Sequence, residues 1–406
     1  MDRGVRAEVG FIAPVEGLRG VAVLLVIVFH WFVVLDPRFA DPWIAAADAW
    51  LPAKVAARNG MIGVDLFFLI TGFLLVLPWL RSAGDGRPDP PARDFYRRRA
   101  RRILPAYYVQ LLLLFFVALP LLRGLEFWRY NTAHVLQNLS AHVFLVHYFT
   151  PATSASLSIN GALWSLALEA QFYLLLPLLA PVFARAPWRT TAALVAVAVA
   201  WRWLSNHHFD AWVAWIRAIE PRWNVTEAGA RHLIATQLPG YLAHFAAGML
   251  AARAWRGSSE RPSSWMRAAL GLAALALLGF LHAPGGWVLG EWTWIAVVAA
   301  LAGVFNAAVV RPGAFARSLL ASRPLSFAGR ISYSAYLYHL PLLLLLNAYA
   351  PAVSDSWLLF PSYLAAVTAV AWLSWRRVER RYLEREPTSS AAAIASTCNA
   401  ATPQRT

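Results

Sequence analysis

The sequence predicts an all-α, polytopic integral membrane protein of about ten transmembrane helices, with both termini in the cytoplasm. Three observations carry that prediction. The first is composition. Of 406 residues, 59% are hydrophobic and only 14% are charged, against roughly 25% charged in soluble domains. The second is spacing. A crossing needs about 20 mostly apolar residues. Such stretches follow one another at 18–36, 61–80, 103–122, 162–184, 190–206, 233–253, 267–283, 292–310, 329–347 and 357–376. The third is the distribution of basic residues. With the N-terminus inside, the inside segments hold 26 Lys and Arg and the outside loops hold 9, the bias expected of cytoplasmic loops.

The remaining segments are assigned in the same way. Stretch 132–149 carries His134, Gln137, Asn138, His142 and His147, and is too polar to face lipid. It reads as a short re-entrant or interfacial element, since an eleventh crossing there would invert everything after it and spoil the charge bias. Residues 1–13 read as a cytoplasmic N-terminal segment, 14–385 as one transmembrane domain, and 386–406 as a disordered cytoplasmic tail of small polar residues. The first apolar run lacks small-residue cleavage chemistry and reads as a retained helix rather than a signal peptide.

The same facts exclude several classes. The net charge of +15 falls in short clusters between apolar runs, a pattern of membrane topology rather than of a nucleic-acid face. The single cysteine, Cys398, excludes intrachain disulfides and argues against a Cys-based metal site. His207 and His208 adjoin and point different ways in any regular structure, so no metal is expected.

Five stretches carry costly polar groups. In "GLRGVAVLLVIVFHW" (17–31), Arg19 and His30 are eleven residues apart, which is three helical turns plus about 20°, so they share one face about 16 Å apart. Ionisable side chains inside a membrane face the protein interior or a water-filled cavity. Arg19 is expected at the cytoplasmic entrance and His30 near the midplane. In "FYRRRARRILPAYY" (95–108), Arg97, Arg98, Arg99, Arg101 and Arg102 crowd the start of a span. They suit a positive-inside anchor. Arg99 and Arg102 are also one turn apart and suit a joint grip on a phosphate.

In "GVDLFFLITGFLL" (63–75), Asp65 stands at the outer start of its span, and Thr71-Gly72 allows close helix approach. In "LWSLALEAQFYLLLPLL" (163–179), Glu169 must be neutral, paired or facing water, with Gln171 and Tyr173 nearby. Its candidate partners are His30, His339 and the arginines. In "GRISYSAYLYHLPLLLL" (329–345), Arg330 marks the cytoplasmic edge, and Tyr336 and His339 share a face.

Together these five stretches, in this order and over about 14–385, resemble the acyltransferase 3 family of membrane O-acyltransferases, which includes O-acetylases of bacterial surface polysaccharides. The resemblance implies transfer of an acyl group, commonly acetyl, from cytoplasmic acyl-CoA to a hydroxyl of a carbohydrate or glycolipid. It implies a multi-pass protein of the bacterial inner membrane, with acyl-CoA as co-substrate and no metal. By the same resemblance His30 is the catalytic residue, and Glu169 and His339 join it at the core. Arg19, Arg98, Arg99, Arg102 and Arg330 fall on the acyl-CoA side, and Asp65, Thr71, Tyr173 and Tyr336 line the substrate cavity. Three departures stand out. Thr71 replaces a usual Ser, Ala170 replaces a frequent second acid, and Tyr338 and Leu340 flank His339 where Trp is common. The tail after 385 is too short for the hydrolase-like domain some members carry, so none is expected.

Such a transfer needs a base for the hydroxyl proton and positive or hydrogen-bonding groups at the developing oxyanion. Histidine's ordinary pKa suits the base. An alternative makes His30 the nucleophile through an acyl-imidazole. The arginines would hold the CoA phosphates while the pantetheine arm follows the Arg19–His30 face. A proton-coupled secondary transporter using His30, Glu169 and His339 is the competing class. It leaves the arginine cluster unused, and no repeat relates the two halves. Outside aromatics such as Trp128, Tyr130, Trp212, Trp215 and Trp223 suit either stacking on sugar rings or an interfacial belt.

Overall fold

The computed structural model describes residues 13–35, 41–154, 156–221, 226–257, 271, 274, 291–349 and 356–383. Among them there are helices and connecting turns and no strand. The long helices are α1 (Ala13–Val34), α2 (Ile62–Gly84), α3 (Ala92–Arg123), α4 (Trp164–Arg185), α5 (Pro187–His207), α6 (Leu238–Gly257), α7 (Glu291–Phe305), α8 (Arg323–Tyr349) and α9 (Leu359–Ser374). A π turn at Asn306–Val310 prolongs α7, and another at Trp375–Glu379 carries α9 on into Arg380–Leu383.

Each of nine predicted spans therefore overlaps a helix, while 267–283 lies almost wholly outside the described residues. Four helical stretches are long and apolar enough on their own to cross a membrane: Ala13–Val34, Ile62–Gly84, Ala92–Arg123 and Gly161–Arg185. The segment Trp294–Val310 meets the test only together with Ala314–Leu320, at a bend of 87°.

α1 starts five residues ahead of the apolar run. Pro14 in the first turn removes an N–H that has no helical partner there, and Glu16 suits the positive end of the helix dipole. Arg19 stands six residues into the helix, and His30 stands one turn from its far end at Val34.

The contacts fix helix directions. Arg19 meets Ser332 and His30 meets His339, so α1 and α8 run parallel. Gly60 lies against Leu25 and Phe29, and Gly63 against Ala22 and Val26, so α2 runs antiparallel to α1. Asp65 meets His244 at one end of α2, while Gly84 meets Arg256 at the other, so α2 and α6 run parallel. All three crossings require glycine, the α1–α2 crossing because a Cβ on Gly63 would stand 2.3 Å from the Ala22 carbonyl oxygen. A Cβ on Gly329 would stand 1.9 Å from the Glu16 carbonyl oxygen, and one on Gly248 would stand 2.0 Å from that of Leu69. Small residues at such crossings let packed helix backbones approach within van der Waals contact.

The polar stretch after α3 forms a helix over Thr132–Val143, too short for a crossing of about 30 Å. The Trp128 indole donates to the Phe115 carbonyl and the Tyr107 hydroxyl donates to the His142 carbonyl. The segment thus folds back along α3. It then turns again, where Asn138 donates to the Ala152 carbonyl. Asn138, His142 and His147 are buried, which explains why so polar a stretch avoids lipid.

α8 carries Pro341 in its interior. A proline there has no N–H for the carbonyl four residues earlier. That carbonyl belongs to Leu337, and the buried Asn160 amide donates to it at 3.1 Å. The turn leading into α4 is thereby fastened to α8 beside His339.

Candidate active site

α1, α2, α3, α4 and α8 line a cavity of about 100 Å³. Its polar lining comes from Arg19, Thr71, Arg99, Arg102, Glu169, Tyr173 and Tyr336 of the predicted site, together with Ser165, Ser332 and Tyr333. Position along each helix explains the grouping. Val64, Phe67, Phe68 and Thr71 repeat on one face of α2 and line it.

The three arginines are held differently. The Arg19 guanidinium donates to Ser332 Oγ through Nε at 3.3 Å and Nη2 at 3.1 Å. Arg102 lies 3.4 Å from a carboxylate oxygen of Glu379, whose side chain is 0% exposed. That carboxylate also accepts from the Ser334 hydroxyl, which lies 2.8 Å from Ser374 Oγ. Arg99 has a buried Nε with no hydrogen-bond partner among the described residues. An unpartnered buried donor is costly, so Arg99 is the cation of the lining best placed to receive an anion. Arg99 and Arg102 both line the cavity, one turn apart as expected, and Arg102 also has a carboxylate partner.

Glu169 accepts from Thr71 Oγ1 at 2.9 Å and from the Tyr173 hydroxyl at 2.5 Å, both on the same oxygen, Oε1. Of the candidate partners, neither histidine is among these donors. His30 and His339 instead pair with each other beyond the cavity, with His339 Nε2 3.2 Å from His30 Nδ1 and ring centroids 4.8 Å apart. His30 Nδ1 is also 2.9 Å from the Val26 carbonyl, and His339 Nδ1 is 2.7 Å from the Tyr336 carbonyl. A carbonyl only accepts, so each Nδ1 carries the proton. His339 then presents a lone pair on Nε2 to the His30 N–H, and His30 keeps its own Nε2 lone pair for chemistry. The backbone of α1 thus fixes the tautomer a base or nucleophile needs.

Three predicted residues lie elsewhere. Asp65 turns away from the cavity face of α2 to His244, at 3.4 Å, in a cluster where Trp294 meets both His244 and Arg202. Arg98 is half-buried and Arg330 exposed, and neither lines the cavity. Arg330 follows Gly329, whose face abuts α1, so its side chain turns outward. Sequence reasoning missed Ser165, Ser332 and Glu379. Ser332 was findable, because it precedes Tyr336 by four and His339 by seven residues on one helical stripe.

Fold and site define a helical membrane protein whose arginine-lined cavity runs toward a histidine pair. The chain belongs to the acyltransferase 3 family: the family model, described as an acyltransferase domain, matches residues 12–376. It is 28% identical over 344 residues to nodulation protein 10 of Rhizobium leguminosarum bv. viciae, covering 78% of this chain and 81% of that one. It is 29% identical over 350 residues to a putative peptidoglycan O-acetyltransferase of Bacillus subtilis, covering 82% of this chain and 49% of the relative. It is 24% identical over 402 residues to a peptidoglycan O-acetyltransferase of Listeria monocytogenes, covering 93% and 57%. The chain thus spans about half the length of these last two relatives. No solved structure matches.

Proposed function

We propose that this protein is an O-acetyltransferase that moves an acetyl group from cytoplasmic acyl-CoA to a hydroxyl of an exported or cell-envelope carbohydrate, free or lipid-linked. The observation that carries the reading is the cavity itself. It joins a buried, unpartnered arginine donor at Arg99 to a helix stripe that leads to His30 and His339. Arg99, Arg19 and Arg102 supply positive charge for the CoA phosphates. The names of the Bacillus and Listeria relatives supply the acceptor class.

In this reading the His30 Nε2 lone pair either takes the acceptor's hydroxyl proton or attacks the thioester carbonyl. In the second route a C–N bond forms and the C–S bond breaks, and CoA leaves as the thiolate that afterwards takes the acceptor's hydroxyl proton. The acceptor oxygen then displaces the imidazole, which ends neutral again. The His30 N–H donated to His339 and Val26 steadies the imidazolium in either route. Placement in the bacterial inner membrane, ten crossings and cytoplasmic termini belong to the same proposal. The parallel course of α1 and α8 fits it, since it requires an odd number of crossings between them.

Mass spectra of envelope glycans and lipids from cells with and without the protein test this directly. The expected difference is the mass of one acetyl group on a saccharide. His30→Ala is expected to abolish it while the protein still inserts. Acetylation at the normal level in that variant overturns the assignment of His30.

A further inference from the structure

We infer that Tyr336 is a barrier between the acyl-CoA cavity and His30, and that it must swing aside before an acyl group can pass. The inference rests on the acyl-transfer reading for its purpose, but its geometry stands independently. Tyr336 lines the cavity and His30 does not. Along α8, Ser332 meets Arg19 and His339 meets His30, so Tyr336 lies between those two levels.

The side chain is anchored across the path. Its hydroxyl donates to the Ala162 carbonyl at 2.8 Å and lies 2.6 Å from Ser165 Oγ. Both partners belong to the turn and first residues of α4, which Asn160 ties to α8. Its ring lies 5.5 Å from the His339 ring and 6.1 Å from the ring of Phe67, which lines the cavity. A thioester held by the arginines therefore meets the Tyr336 ring before it meets His30. Swinging the ring requires loss of two buried hydrogen bonds, which binding of the acyl-CoA arm would have to offset. With the ring in place, the histidine that handles the acyl group is separated from the cytoplasmic pool of thioester and of water. That separation favours transfer to the acceptor over hydrolysis.

Thiol accessibility tests the barrier without any transfer chemistry. The sole cysteine is removed by Cys398→Ala, and single cysteines are placed by Thr71→Cys in the cavity and His30→Cys beyond it. Membrane vesicles of each orientation are treated with a charged, membrane-impermeant thiol reagent. The face from which Thr71→Cys labels defines the cavity side. From that face His30→Cys is expected to label slowly, and Tyr336→Ala or the milder Tyr336→Phe to speed it about tenfold, the worth of roughly one net hydrogen bond. Rapid labelling of His30→Cys from the cavity side with Tyr336 intact overturns the inference, as does an unchanged slow rate in both Tyr336 variants. An unaltered glycan acetylation pattern in cells lacking the protein would instead overturn the proposed function and leave the barrier result standing.

Discussion

The pair Arg102–Glu379 offers a prediction in which the two halves of one interaction are unequal. The Glu379 side chain is 0% exposed and that of Arg102 is 21% exposed. Arg102→Ala leaves a fully buried carboxylate with the Ser334 hydroxyl as its hydrogen-bond donor. Removing one partner of a buried pair in that way costs about 3–5 kcal/mol. Glu379→Ala leaves a guanidinium that lines the cavity and can hydrate there, so its loss should cost only about 1–2 kcal/mol. The double variant should cost less than the two singles together, with a coupling of about 1–3 kcal/mol. Unfolding in detergent micelles, followed through tryptophan fluorescence, measures all three. If Glu379→Ala proves as damaging as Arg102→Ala, or the two costs simply add, the assignment of Glu379 as a buried anion dependent on Arg102 is wrong.

Other expectations follow from single contacts. Glu169→Gln keeps the acceptor oxygen that both Thr71 and Tyr173 use, so it should lower stability by about 1 kcal/mol, and Glu169→Ala should do clearly worse; equal losses would refute the shared-oxygen geometry. His339→Ala should slow transfer by about 10–100-fold without abolishing it, because a hydrogen bond to the His30 imidazolium is worth about 1.5–3 kcal/mol while the Val26 carbonyl still holds Nδ1. Thr71→Ser should retain activity where Thr71→Val lowers it, as read by acetyl transfer in membranes. Gly329→Leu should prevent accumulation of folded protein, since even a Cβ meets the Glu16 carbonyl; normal expression and melting would contradict the α1–α8 crossing.

The helices and the family were legible in the sequence because hydropathy and charge bias act over whole segments, and because Arg19, Glu169 and His339 are conspicuous in apolar surroundings. What the sequence hid was set by rotation. Asp65 looked like a cavity residue, yet one helical step of about 100° carries it off the face that Val64 and Thr71 present. Glu379 was invisible for a different reason. It stands among Arg376, Arg377, Arg380 and Arg381, a run that reads as an ordinary cytoplasmic flank, and only the π turn of α9 brings it under Arg102.

The contact between Asn160 and the carbonyl freed by Pro341 ties two distant positions into one unit of inheritance. With Asn160 replaced, the Leu337 carbonyl would stand bare inside the protein. With Pro341 replaced by Ala, the new helical N–H would share that carbonyl with the Asn160 amide, because a carbonyl oxygen has two lone pairs. Loss of Asn160 is therefore costly while Pro341 stands and mild once residue 341 can donate. Drift across relatives should then lose the proline before the asparagine, and a chain that has an unbroken helix after its histidine has less need of an asparagine before α4.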